Sequence, residues 1–350
     1  MTVLHAFIKT TSPLHIAAPG SMRFDPGTGK TSFGGSDVGV PCTGVQRITL
    51  FTEEGARRYP VIAANNLSGR LRRHAAKLVL EVFKAKGQQV SLSTYATLQC
   101  GAATGNPDGE DMTYQEYRAY KNHPYLGLFG GGPKMMRRAF RMQNALPITA
   151  DTVAISGAQA HPAAAEHQQE KHLTEAWGFR RNDDLRDLVG IHQAEQTVRD
   201  FEAAFAHRQA LIIEEAKKER VSGSAKTSTK TYSAVEFVLP GVLFGFCVEF
   251  SDASVAQQGL FLLALDSLAA TERLGGLVRN GFGAFSLEDV RIVETTGEQT
   301  GLFNNGRLHR EHPAVAERLS AWDADALVLD AHILENLLIP SQPKAKKGSA

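Results

Sequence analysis

Apolar and polar positions along the chain fall into periodic runs that predict its elements. Thr2–Ser12 carries Val3, Phe7 and Ile8 among small and polar residues, reads as a strand and ends at Ser12-Pro13; Val45–Phe51 reads as the next strand. In Pro60–Lys77 a short apolar lead-in, Val61 and Ile62, passes into Asn65, Asn66, Ser68 and Gly69 and then into a helical pattern. Its apolar stripe continues through Leu67, Leu71, Ala75, Leu78 and Val82. A strand is expected near Arg141–Ile148, and helices over 151–216, clearest at Ala194–Lys218, where Val198, Phe201, Phe205, Leu211 and Ile212 supply the apolar positions. Val235–Phe250 predicts a strand pair around Leu239-Pro240-Gly241, Ser254–Arg273 a buried helix stopping at Gly275-Gly276, and Ser286–Val293 a strand. Residues 307–338 read as two more helices. Between these lie a long Gly/Pro/Ser/Thr-rich loop at 17–45, an irregular polar stretch at 88–132 containing Tyr95, Tyr114, Tyr117, Tyr120 and Tyr125, and the basic segment 217–234. A disordered tail is expected after residue 338.

Charge is clustered although its sum is small. The 350 residues carry a formal net charge of +1, so any nucleic-acid surface must be local. Arg70, Arg73, Lys77 and Lys84 fall on one face of this predicted helix, away from its apolar stripe. A helix N-terminus capped by Asn65, Asn66 or Ser68 would add free N–H groups and the positive end of its dipole, a setting for anions. A solvated basic face on an ordinary core helix would share this pattern. A second cluster, Lys134, Arg137, Arg138 and Arg141, follows the glycine run Gly130–Gly132; a solvated strand edge is its plainer explanation. Glycines 275, 276, 281 and 283 form a late loop with Arg279 and Asn280 beside them.

Other signals are weaker. GTGKT at Gly27–Thr31 lacks the first glycine of a phosphate loop, since that place is Phe24. Cys42, Cys100 and Cys247 are scattered and odd in number, against a disulfide framework or structural zinc, and His161, His167, His172 and His192 show no HExxH-like spacing. No metal or cofactor is expected. No apolar run reaches membrane-spanning length and Met1–Lys9 has no secretory pattern, so a cytoplasmic protein with no membrane partner is expected.

The order strand, helix, strand, long insertion, strand, helix, glycine loop, strand is that of a ferredoxin-like, RRM-type α+β fold with insertions. Three patterns in that order resemble the repeated guide-RNA-binding backbone subunits of class 1 CRISPR effector complexes, the family-seven Cas proteins of the RAMP superfamily. They are SPLHI (Ser12–Ile16) with VQR (Val45–Arg47) and Pro60–Arg73; LGLFGG (Leu126–Gly131) leading to Arg141–Ile148; and VLPGVLF (Val238–Phe244) with Gly275–Phe285. The form AANNLSGRLRR looks most like the type IV variety. The resemblance covers most of residues 1–295 and implies a discontinuous core with insertions at 88–132 and 151–216, a projecting hairpin thumb at 217–234, a helical extension at 296–338 and a disordered tail at 339–350.

The resemblance also implies a non-enzymatic, multi-copy scaffold that grips the backbone of a guide RNA, so that the guide's bases pair with target DNA. Its other implied partners are further copies of itself, other effector subunits and a helicase. The implied RNA-binding residues are Asn65, Asn66, Ser68, Arg70, Arg72, Arg73, Lys77, Lys134, Arg137, Arg138, Arg141, Lys226, Lys230, Arg279 and Asn280. Type III relatives that cut RNA carry an aspartate near the place held here by Cys42, with the nearest carboxylate in sequence at Asp37; a thiol does not replace a carboxylate as a ligand for a hard metal, so no cleavage is expected. Two other functions compete: a guide-processing endoribonuclease of the same superfamily, with His15 or His74 for acid–base work, and a phosphate-loop protein using Gly29, Lys30 and Thr31.

Overall fold

The computed structural model describes residues 2–18, 22–25, 27–33, 40–53, 55–101, 113–133, 136–156, 168–180, 195–197, 199–207, 210–211, 214 and 232–338. In chain order the elements are β1 (Thr2–Thr10), β2 (Met22–Asp25), β3 (Lys30–Phe33), β4 (Val40–Thr43), β5 (Arg47–Thr52), β6 (Gly55–Pro60), α1 (Ala64–Ala85), α2 (Leu92–Cys100), α3 (Tyr114–Asn122) and α4 (Pro124–Phe129). There follow β7 (Phe140–Met142), β8 (Leu146–Pro147), β9 (Thr174–Arg180), β10 (Tyr232–Val238), β11 (Leu243–Phe250), α5 (Val255–Thr271), β12 (Phe285–Glu294), β13 (Gly297–Gln299), β14 (Phe303–Asn304), β15 (Arg307–Leu308), α6 (Pro313–Val328) and α7 (Ala331–Leu338). The class is α+β. The chain divides into one unit of Met1–Ala17, Val45–Thr174 and Val238–Ala350 and another of Ala18–Gly44 and Glu175–Phe237.

The larger unit is built on an antiparallel sheet in the order β13-β12-β1-β11-β7, with β8 also paired to β11. Leu4, Ala6 and Ile8 alternate along β1 into the main core, while Phe7 points to the other face, against Ile148 and Leu243. α1 packs on α5, and α5 on α6. α5 is apolar nearly all round, with Leu260, Phe261, Leu262, Leu265 and Leu268 buried, as expected for a helix covered by neighbours. Its cap is a capping box: Ser254 accepts from Gln257 N and Gln257 reaches back to Ser254 N. α1 buries Leu67, Leu71, Ala75, Val79 and Phe83, and each large side chain among them contributes about 1.5–3 kcal/mol. Just past the end of α1, Lys86 Nζ donates to the carbonyls of Ala326, Leu327 and Leu329 at 2.9, 2.7 and 2.7 Å, capping the C-terminal end of α6.

The smaller unit has its own sheet, β3-β2-β4-β10-β9, in which β4 and β10 run parallel, and a small core of Met22, Phe24, Cys42 and Ala234. Trp177 and Phe237 pack edge to face with ring centroids 4.4 Å apart.

Several expectations need correction. The 17–45 stretch contains three strands, because Met22 and Phe24 alternate with Arg23 and Asp25 in a pattern hidden by the glycine-rich turns around it. The 88–132 stretch contains three helices, set by caps: Ser91 accepts from Thr94 N, and Thr113 with Glu116 forms a capping box. The 151–216 stretch is not all helix, since Thr174–Arg180 is a strand; its residues 195–197 and 201–207 are helical. The two strands of Val235–Phe250 do not pair with each other: β10 lies in the smaller unit's sheet and β11 in the larger's, with Gly241 at a φ of +91° in the turn between them. The predicted 141–148 strand is two short ones, and α5 stops at Thr271, where Glu272 turns extended. α1 begins at Ala64 with no side-chain cap from Asn65, Asn66 or Ser68; Ala64 N donates to Asn144 Oδ1 at 2.8 Å instead. GTGKT forms the hairpin turn into β3, with Asp25 Oδ1 accepting from Gly27 N at 2.9 Å, so a strand and not a helix N-terminus follows its glycines. Asp37, Lys134, His161, His167, His192, Lys226, Lys230 and all of the predicted thumb except 232–234 lie outside the described residues.

Candidate nucleic-acid interface

The glycine loop after α5 is tied to α1 by Arg70. Its guanidinium donates to Asn66 Oδ1 (3.0 Å), to the Glu272 carboxylate, and to the carbonyls of Arg273 (2.8 Å) and Gly275 (3.2 Å). Most of its five donors are therefore spent inside the protein, and Arg70 acts as a staple rather than a cation held out to solvent. His74 reinforces the junction, with Nδ1 2.9 Å from Ser267 Oγ and Nε2 2.7 Å from Glu272. The hydrogen bond from His74 is the largest influence holding the Glu272 carboxyl below its ordinary value, with the charges of Arg70, His74 and Arg73 acting the same way and burial opposing.

The loop itself is held by backbone bonds to Pro13–His15: Gly276 N donates to His15 O and Gly283 N to Pro13 O, both at 2.8 Å. Two of its glycines are required. Gly275 and Gly283 have φ of +75° and +86°, and a Cβ there would sit 2.2 Å from His15 O and 2.0 Å from Leu274 O. A 3₁₀ turn, Val278–Asn280, forms the tip, where Arg279 and Asn280 are exposed.

Beyond the staple, α1 presents Arg73, Lys77 and Lys84, all exposed and without an ion pair to any described residue. With His74, Tyr95 and Gln99 they line a shallow groove of about 480 Å³, which Leu80 and Glu81 also border. Tyr95 is 46% exposed, a flat apolar surface beside three cations. Asn65 is exposed, whereas Asn66 and Ser68 are half-buried.

Arg72 points elsewhere. It donates to the carbonyls of Gly130 (3.1 Å) and Phe129 and lies over the Phe129 ring at 5.5 Å, which closes the C-terminal end of α4. Arg138 is half-buried over Phe140 at 5.0 Å, and burial first, then the charge of Arg72, lowers its guanidinium from the ordinary value. Arg137 and Arg141 are exposed.

Cys42 is buried in β4, and burial, followed by the Glu236 carboxylate, pushes its thiol up to about 11. Glu236, itself buried in β10, is a carboxylate near Cys42 that sequence spacing did not reveal. Among the described residues, no group of three or more His, Cys, Asp or Glu side chains is placed to hold a metal ion, and no helix is long and apolar enough to cross a membrane.

No family model and no curated protein matches the chain. Among solved structures, a chain of a Type IV-B CRISPR complex is similar at 14% identity and a TM-score of 0.49, over 89% of this chain and 99% of that one. A chain of the Type III-B Cmr-beta complex bound to cognate target RNA, solved by cryo-EM, is similar at 10% identity and a TM-score of 0.36, over 83% of this chain and 60% of that one. At these scores neither likeness establishes a shared fold.

Proposed function

We propose that this protein is a guide-RNA-binding backbone subunit of a class 1 CRISPR effector complex, of the type IV variety, acting in several copies along one guide and not cutting the target. The observation that carries this reading is the junction of α1 with the glycine loop. Arg70 and His74 fix the loop to the helix from within. Arg73, Lys77 and Lys84 on the helix, and Arg279 on the loop, are left facing solvent for phosphates. The strand order β12-β1-β11-β7, with α1 after the first of these strands in the chain and α5 before the last, supports a ferredoxin-like core. Recognition of sequence is left to the guide, which pairs with target DNA, while a helicase and other effector subunits complete the assembly.

The endoribonuclease reading is weaker. Both ring nitrogens of His74 are engaged within the protein, and His15 is buried.

The test is RNA binding by the full chain. The Arg73→Ala, Lys77→Ala double variant is expected to bind RNA at least about tenfold more weakly, since each charged hydrogen bond contributes roughly 1.5–3 kcal/mol. Its melting temperature should not change, because both side chains are exposed. Unchanged affinity at moderate salt removes α1 from the interface. Recovery of the native protein as an RNA-free monomer that cuts a hairpin RNA once would favour the processing enzyme.

A further inference from the structure

Arg137, Arg138 and Arg141 of the second basic cluster belong to a groove that extends well beyond them. On α3, Tyr114, Tyr117, Arg118 and Lys121 follow one another at helical spacing and line a continuous cleft. Tyr117 and Lys121 also border the adjoining cleft lined by Arg137 and Arg141, so the two openings, of about 740 and 630 Å³, share one wall. Tyr114 is 76% exposed and Tyr117 44% exposed. α3 is held by its capping box at Thr113 and Glu116, so these rings stand on a rigid element.

The charge of the groove is one-sided. Arg118, Lys121, Arg137, Arg138 and Arg141 line it against two carboxylates, Asp252 and Asp325, and Glu249 lies across the strands from Arg141. None of the five cations is within ion-pair distance of a described carboxylate; Lys121 Nζ makes one long contact, 3.5 Å, to Arg137 O. Flat rings flanked by cations suit a chain of phosphates carrying unstacked bases, because every base has a face to stack. An apolar peptide helix would find too much charge here, and an acidic peptide would leave the rings without a flat partner.

We infer that the α3 groove is a second, sequence-tolerant binding site for single-stranded nucleic acid, in which Tyr114 and Tyr117 stack on bases and Arg118, Arg137 and Arg141 hold the backbone. This rests on the guide-binding reading for its setting but not for its residues. The strand has two possible sources, the guide itself where it leaves α1, or a separate strand brought by the target.

The experiment uses the full chain purified with its RNA, probed with fluorescent oligo-dT and with poly-glutamate. The Tyr114→Ala, Tyr117→Ala variant is expected to bind oligo-dT about tenfold or more weakly, while Tyr117→Phe keeps wild-type affinity because the ring is kept. Arg137→Ala with Arg141→Ala should lower the salt dependence of binding by about one unit. If the alanine variant loses oligo-dT but keeps its purified RNA, the groove serves a separate strand; if it loses its RNA as well, the groove holds the guide. Unchanged oligo-dT affinity overturns the proposal, and so does a loss confined to poly-glutamate, which would make this a site for an acidic protein. The Arg73→Ala, Lys77→Ala variant, run alongside, keeps the two readings apart: its failure to act while the tyrosine variant does leaves the groove standing without the guide-binding assignment.

Discussion

Glu272 is the carboxylate on which Arg70, Arg73 and His74 of α1 bear, and its charge is part of the junction. Because these neighbours hold its folded value below the ordinary 4.5, its stabilising contribution is complete above that pH and is lost as pH falls through the folded value. Glu272→Gln should therefore lower the melting temperature near neutrality, by the equivalent of about 1–3 kcal/mol, and flatten the acid limb of the stability curve. His123 works in a different window. It is buried, its Nδ1 accepts from Tyr125 N and Leu126 N to cap α4, its Nε2 has no partner among the described residues, and burial drops its value from 6.5 to about 4. Protonation thus favours the unfolded chain, and about 3 kcal/mol should drain away as pH falls from 6.5 through about 4. His123→Asn keeps a capping acceptor and should remove that slope; a denaturation series across this range that leaves the slope in place would refute the assignment.

The glycine loop between α5 and β12 is an element whose course was legible and whose purpose was not. Gly283→Ala places a Cβ against Leu274 O at a φ that costs a side chain about 1–3 kcal/mol, so this variant should melt earlier and, on the guide-binding reading, bind RNA more weakly through a displaced Arg279. Wild-type melting and affinity together would show that the loop does not position Arg279. Periodicity made β1, α1 and β12 readable, a long apolar run made α5 so, and Ser254 with Gln257 marks the start of α5 in the sequence. The Thr113–Glu116 capping box was equally visible but sits in a polar stretch whose helix buries little besides Tyr120, so no apolar stripe announced it. Neither Asn144 as the cap of α1 nor Ser267 and Glu272 around His74 could be found by spacing, because each partner comes from a distant part of the chain. The basic face of α1 was foreseen as a unit. Only the fold separates Arg70, turned inward onto carbonyls, from Arg73, Lys77 and Lys84, turned out.

Across the whole molecule a net charge of +1 hides an uneven distribution. Several acidic groups are spent internally, Asp266 on Arg307, Glu294 on the buried Arg318 and Glu272 on Arg70, whereas Arg73, Lys77 and Lys84 of α1 and the cations of the α3 groove have no ion pair to a described residue. α6 and α7 belong to the same unit as β1, and they meet the end of α1 through polar contacts: Gln88 donates to Asp330, Ser91 N donates to Glu335, and Lys86 fills the end of α6. The Lys86 contact has a chemical consequence. An ammonium group with all three protons given to carbonyls must leave its seat and shed a proton before it can attack an acylating reagent. Lys86 should therefore acetylate more slowly than Lys77 and Lys84, which precede it on α1, with peptide mass spectrometry reading the three rates side by side. A rate for Lys86 that rises to match the others in mild denaturant would time the release of the C-terminal end of α6 from its seat on Lys86.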